Sequence, residues 1–152
     1  MDNNVVFTVG NGMMGDDGAG PLLAERLARE PVAGWDVVDG GSTPENHVHS
    51  VVALRPRRVY LVDAADMELA PGEIRIVEPT SIADMLFMTT HSLPLSFVIE
   101  HLQAEGCEVT FIGIQPGIVA FYCPMLEPVK QAVADLYERI ATGGDLDGFE
   151  RI

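Results

Sequence analysis

Two adjacent carboxylates, Asp16 and Asp17, stand in the stretch GNGMMGDDGAG from Gly10 to Gly20. The apolar run Val5-Val6-Phe7-Thr8-Val9 precedes it and Pro21-Leu22-Leu23-Ala24-Glu25-Arg26-Leu27 follows, a pattern of strand, glycine-rich turn and helix. The acids are thereby predicted at the carboxyl edge of a sheet, where open α/β folds keep their sites. Gly10, Gly12 and Gly15 also satisfy G-x-G-x-x-G, the spacing with which a dinucleotide fold seats a pyrophosphate on a helix N-terminus. Two carboxylates directly after the third glycine argue against an anion there and suit a cation. A helix cap accounts for one of the pair, at about 1 kcal/mol. The other needs a different role.

Three more residues have the type and placement for chemistry. Asp63 ends Arg57-Arg58-Val59-Tyr60-Leu61-Val62-Asp63, the continuous apolar run of a strand buried on both faces. Asp39 ends the shorter strand pattern Trp35–Asp39. His91 stands just before a helix start at Ser92 and Pro94, where the helix dipole disfavours a protonated imidazole and leaves the neutral form that binds metal. Two carboxylates and an imidazole, from Asp17, Asp63 and His91, suit a borderline divalent ion such as nickel, iron or zinc. Their spacing along the chain does not show that they converge. His47 and His49 are two apart and would leave a helix in different directions, as surface residues; His101 lies inside a helix pattern and reads as structural. Neither G-x-S-x-G nor H-E-x-x-H occurs, so no familiar nucleophile or zinc motif competes for the site.

The elements that must position these groups read as one α/β domain over residues 1–152: a five-stranded, mixed but mostly parallel twisted sheet with helices on both faces. The short link through Pro71-Gly72 between the Asp63 strand and Glu73–Val77 is too brief for a parallel crossover. An antiparallel edge strand is expected at Ile74–Val77. Val109–Gln115 is the fifth strand, and Leu126, Val129, Val133, Leu136 and Ile140 space the last helix. From about residue 143 a short polar tail is expected to be mobile. The net charge of −14 repels nucleic acid and anionic lipid. No apolar run is long enough to span a membrane, and the start MDNNVVF has no basic region before an apolar one; a cytoplasmic monomer is expected. Cys107 and Cys123 lie outside any C-x-x-C spacing and read as buried, inert thiols.

The ordered blocks GNGMMGDDGAG, VVDGGSTPEN, YLVDAADM, TTHSLPL and IGIQP resemble the signature of the [NiFe] hydrogenase maturation endopeptidases, and the branch that processes hydrogenase 3 most of all. The resemblance covers nearly the whole chain. It implies a peptidase that removes the C-terminal extension of a [NiFe] hydrogenase large-subunit precursor after nickel has been inserted. It also implies that Asp17, Asp63 and His91 are the metal-contacting and catalytic residues, and that Asp39 takes part in substrate recognition. The nickel is then carried by the substrate, and other divalent ions can occupy the same groups. Asp16, the first acid of the signature, is assigned to capping or support. Three rivals stay open: a carboxylate dyad of Asp17 and Asp63 that needs no metal, a nickel-sensing module that does not cut, and a nucleotide-binding domain.

Overall fold

The structure, a computed structural model, describes residues 3–78 and 92–152. Five strands, β1 (Asn4–Thr8), β2 (Trp35–Asp39), β3 (Arg58–Ala64), β4 (Ile74–Val77) and β5 (Glu108–Ile114), form one sheet in the order β2-β1-β3-β5-β4. β1, β2, β3 and β5 run parallel, and β4 pairs antiparallel with β5 at the sheet's edge, Ile76 opposite Ile112. The short Pro71-Gly72 link thus has the predicted consequence. Among the described residues four α-helices flank the sheet: α1 (Ala19–Arg29), α2 (Val48–Ala53), α3 (Ser92–Ala104) and α4 (Glu127–Ala141). The short helix expected through Leu86 lies outside the described residues.

Strand alternation divides the core into two layers. Val5, Phe7 and Val9, Val59 and Leu61, and Phe111 face α2 and α3, packing on Val48, Val51, Leu95, Val98 and Leu102. Val6, Tyr60, Val62, Ile112 and Ile114 face α1 and α4, packing on Leu23, Leu27, Val133, Leu136 and Ile140. The 3,4 spacing read in the last helix is the stripe that α4 buries.

Because β1 lies between β2 and β3, the chain leaves β1 through α1 on one face and returns to β3 through α2 on the other. The connections diverge at the carboxyl ends of β1 and β3, the place where open α/β sheets form their ligand crevice. Sheet topology alone therefore marks the edge that carries both the glycine-rich turn and Asp63.

The tail differs from expectation. Beyond Gly143 it docks: Leu146 is fully buried, and Asp147 pairs with Arg58 and Tyr60. Ile76 N–H donates to Glu150 O at 2.8 Å and Ile152 N–H to Ile76 O at 2.9 Å, adding a short parallel bridge along the outer edge of β4. Leu146, the Arg58 clasp and the ring of Phe149, packed on the core beneath the Arg139 guanidinium, fix a segment whose composition is polar. The bridge also satisfies an edge that would otherwise offer unpaired backbone groups. No helix among the described residues is long and apolar enough to cross a membrane.

Candidate active site at the carboxyl edge

After β1 the chain turns sharply at Gly10, where φ is +143° and a Cβ would sit 2.1 Å from the Asp17 carbonyl. Only glycine fits such a fold-back. A single 3-10 turn, Gly15–Gly18, then leads into α1. Gly20 brings the first turn of α1 against the sheet: a Cβ there would lie 2.4 Å from Val9 O and 3.2 Å from Val62 O. Val9 N–H donates to Val62 O at 2.9 Å, so the ends of β1 and β3 are in register. Asp17 enters this edge from the turn and Asp63 from the end of β3.

Both acids are buried, Asp63 completely and Asp17 to 6% exposure. Carboxylates taken from water are costly to keep charged unless donors or cations meet them. For Asp17 one donor is local: Asn11 N–H reaches Oδ2 at 3.0 Å, which fixes the orientation of the carboxylate from within its own turn. Asp39 belongs to the same edge but is exposed. Its Oδ1 accepts from Thr8 Oγ1 at 3.2 Å and from Gly41 N–H at 3.0 Å, and it lines a groove between α1 and β2 with Pro21, Ala24 and Val37. His91, the third expected ligand, lies outside the described residues. Among those residues no three of His, Cys, Asp or Glu group closely enough to hold an ion. Asp17 and Asp63 thus come to adjacent strand ends, and the histidine that would complete the set is not placed.

Asp16 corrects one expectation. Neither it nor Asp17 caps a helix: no side chain caps the 3-10 turn or α1. Asp16 is fully buried instead, with Oδ2 accepting Gly117 N–H at 2.7 Å and Ile118 N–H at 2.9 Å, and Oδ1 accepting Leu126 N–H at 2.8 Å. In return Asp16 N–H donates to Ile118 O at 2.7 Å. Three donors to an ionised oxygen pair form charge-assisted bonds, stronger than neutral ones. The carboxylate therefore ties the turn after β1 to the loop after β5 and to the entry of α4. Gly15 belongs to the same knot, with φ +59° and room for no Cβ, since that atom would lie 2.6 Å from Ile118 O.

Gln115 is a second tie that the residue pattern did not mark. It is 5% exposed, and its Oε1 accepts Met67 N–H at 2.6 Å and Leu69 N–H at 3.3 Å. Its amide donates to Asp66 Oδ1 at 3.2 Å and Pro116 O at 3.0 Å, joining the loop after β3 to that after β5. A buried polar side chain directly after a strand is the signal that could have found it. The remaining residues behave more plainly. His49 and His101 are exposed and His47 half-buried, while His101 meets the Phe97 ring edge-on at 6.1 Å. Cys107 and Cys123 are free thiols; Cys107 is buried, but Cys123 is only half-buried because it lies in the surface loop before α4. Burial pushes the Cys107 thiol up from its ordinary pKa, and the nearby Glu105 charge adds to that.

The glycine pattern therefore does not prepare a phosphate site. Its turn is filled from within by the Asp16 and Asp17 carboxylates, one bound to backbone across the molecule and the other bound to Asn11 N–H of the turn itself. Comparison with known proteins places the whole chain. Residues 21–143 match the family model described as hydrogenase maturation protease. The hydrogenase 3 maturation protease of Escherichia coli strain K12 is 52% identical over 149 residues, covering 98% of this chain and 96% of that protein. The solution structure of the endopeptidase HycI from Escherichia coli superposes with a TM-score of 0.90 at 52% identity, over 98% of this chain and 96% of that one. The [NiFe] hydrogenase maturation protease HycI from Thermococcus kodakarensis KOD1 has a TM-score of 0.81 at 31% identity, over 92% and 90%. With the fold, the acidic edge and a full-length likeness in agreement, the chain belongs to the hydrogenase maturation protease family.

Proposed function

We propose that this protease removes the C-terminal extension of a [NiFe] hydrogenase large-subunit precursor, that of hydrogenase 3, once nickel is in place, acting as a cytoplasmic monomer. Nickel enters as part of the substrate. Asp17, Asp63 and His91 complete its surroundings, and Asp39 reads the peptide beside it. The observation that carries the reading is the burial of Asp17 and Asp63 at neighbouring strand ends of the topological switch point. Two acids kept in such a place favour an arriving cation over an anion.

The chain's own contribution is positional. Asn11 N–H holds one Asp17 oxygen, the sheet holds Asp63, and the groove beside Asp39 runs away from the crevice between α1 and β2. A divalent ion at a scissile carbonyl polarises it and lowers the pKa of bound water toward about 7. Cutting is thus linked to nickel insertion without a separate sensor.

The test is incubation of nickel-loaded and nickel-free precursor with the protease, read by mass spectrometry. Loaded precursor should lose the mass of its extension and nickel-free precursor should not. Asp17→Asn and Asp63→Asn should each slow processing by about a hundredfold or more, the scale set by removing an electrostatic group from a reacting centre. Equal cutting of both precursors would move the chemistry to a carboxylate dyad, and an unchanged mass in both would leave a binding module.

A further inference from the structure

Among the described residues Phe97 and Ile152 are exposed singly, but five other large exposed apolar side chains cluster. Met13, Ile118, Val119, Phe121 and Tyr122 are 41–74% exposed, and they come from two neighbouring segments, the turn after β1 and the loop after β5. Tyr122 N–H donates to Met13 O at 2.8 Å and Asp16 N–H to Ile118 O at 2.7 Å, which joins the two into one surface. The Phe121 and Tyr122 rings lie 4.1 Å apart, centroid to centroid, and both face outward, at 59% and 74% exposure. Tyr122 adopts φ +59°, uncommon for a bulky side chain and costing about 1–2 kcal/mol. The Asp16 carboxylate fixes the base of the loop at Gly117, Ile118 and Leu126.

Clustered apolar surface of this kind marks a contact with another molecule, and aromatic side chains on a pre-fixed backbone lose little entropy on binding. Two observations choose the occupant. The surface adjoins the crevice, because Asp16, which anchors it, is the residue before Asp17. The chain's net charge of −14 opposes a second copy of itself and an anionic membrane. We infer that the Met13–Tyr122 surface docks the folded body of the large-subunit precursor, through an apolar patch beside its cleavage point, while the crevice takes the nickel and the scissile segment. This rests on the function proposed above and adds a second, nickel-independent contact to it.

The test is the double variant Phe121→Ser/Tyr122→Ser, made at exposed positions outside the acidic site, with its fold checked by thermal unfolding. On nickel-loaded precursor KM should rise about tenfold or more while kcat stays within about twofold, the signature of lost uniform binding. In parallel, affinity for loaded precursor is measured on immobilised protein, and self-association by sedimentation. An unchanged KM and affinity in the folded variant overturn the inference, as does a wild-type dimer that the variant dissolves without any change in KM. If the wild type binds loaded precursor but does not cut it, and the variant does not bind, the docking surface stands and the proposed peptidase reading falls. If the wild type neither binds nor cuts, both fall.

Discussion

Two aspartates each hold a distant segment of chain in place, and they do it by opposite means. Asp16, at the carboxyl end of the sheet, is fully buried and grips three backbone N–H groups of the loop after β5 and the start of α4. Asp147, at the amino end, anchors the C-terminal tail by pairing its carboxylate with both terminal nitrogens of Arg58, one of them at 2.9 Å, and with Tyr60 Oη at 3.2 Å. That clasp is partly wet: the Arg58 and Asp147 side chains are 30% and 26% exposed. It is also rich in partners, since Glu108 approaches Arg58 at 3.5 Å and the guanidinium lies over the Tyr60 ring at 5.4 Å. A fold that needs only a tail pinned down uses a cation, which water can partly replace. At the crevice edge the Asp16 tie is made with backbone donors. For the cation-receiving site proposed above, an anchor that adds no positive side chain of its own is the compatible one.

The largest effect should follow from cutting the buried anchor. Asp16→Ala leaves three N–H groups without their acceptor, each costing about 1–3 kcal/mol, so a loss on the order of 3–5 kcal/mol is expected in urea unfolding, with processing abolished as the loop comes away. Asp16→Asn should recover only part of this, because its NH2 must face one of the same donors. Asp147→Ala is expected to cost about 1 kcal/mol or less, as partly exposed ion pairs do, and wild-type stability should approach the variant's as salt is raised. Processing should be unaffected. If Asp147→Ala proves as damaging as Asp16→Ala, the contrast between the two clasps is lost.

The two anchors also show what the residue order could reveal. The sheet was legible: continuous apolar runs gave β1, β3 and β5, the brief Pro71-Gly72 link gave the antiparallel β4, and the 3,4 stripe gave α4. Asp39 and Asp63 were legible as strand-end acids, and Asp17 as an acid of the turn after β1, because their type and their place in a pattern coincide. The work of Asp16 was hidden, since its partners are backbone N–H groups 101, 102 and 110 residues away, and a backbone donor has no letter in the sequence. The docked tail was hidden for a related reason. Its polar composition predicts solvent, and only the fold reveals that Arg58, at the start of a buried strand, waits there for Asp147. Phe121 and Tyr122 fall between two elements, where no periodicity assigns them a face.

The smallest expected effect isolates the phenol in the ionic clasp. Burial, and after it the negative charge of Asp147, push the Tyr60 hydroxyl up to about 12 from an ordinary value of 10. The folded protein therefore favours the protonated phenol more than the unfolded chain does. That contribution is fully present below pH about 10 and is lost as pH rises from 10 through 12. Arg58 keeps its charge over this range: burial works against it most, but the hydrogen bond from its guanidinium to Asp147 and the negative charges of Tyr60, Asp147 and Glu108 together outweigh that and raise its pKa. The urea midpoint of the wild type should thus fall between pH 9 and pH 11.5 by more than that of Tyr60→Phe, in which the ring stays stacked on Trp35, 5.5 Å away between centroids in the wild type, and no phenol remains to ionise. Every other group in the molecule is common to both proteins and cancels in the difference. A parallel fall in the two would mean that the hydroxyl contributes nothing beyond its ring, and that the ionic clasp consists of Arg58 and Asp147 alone.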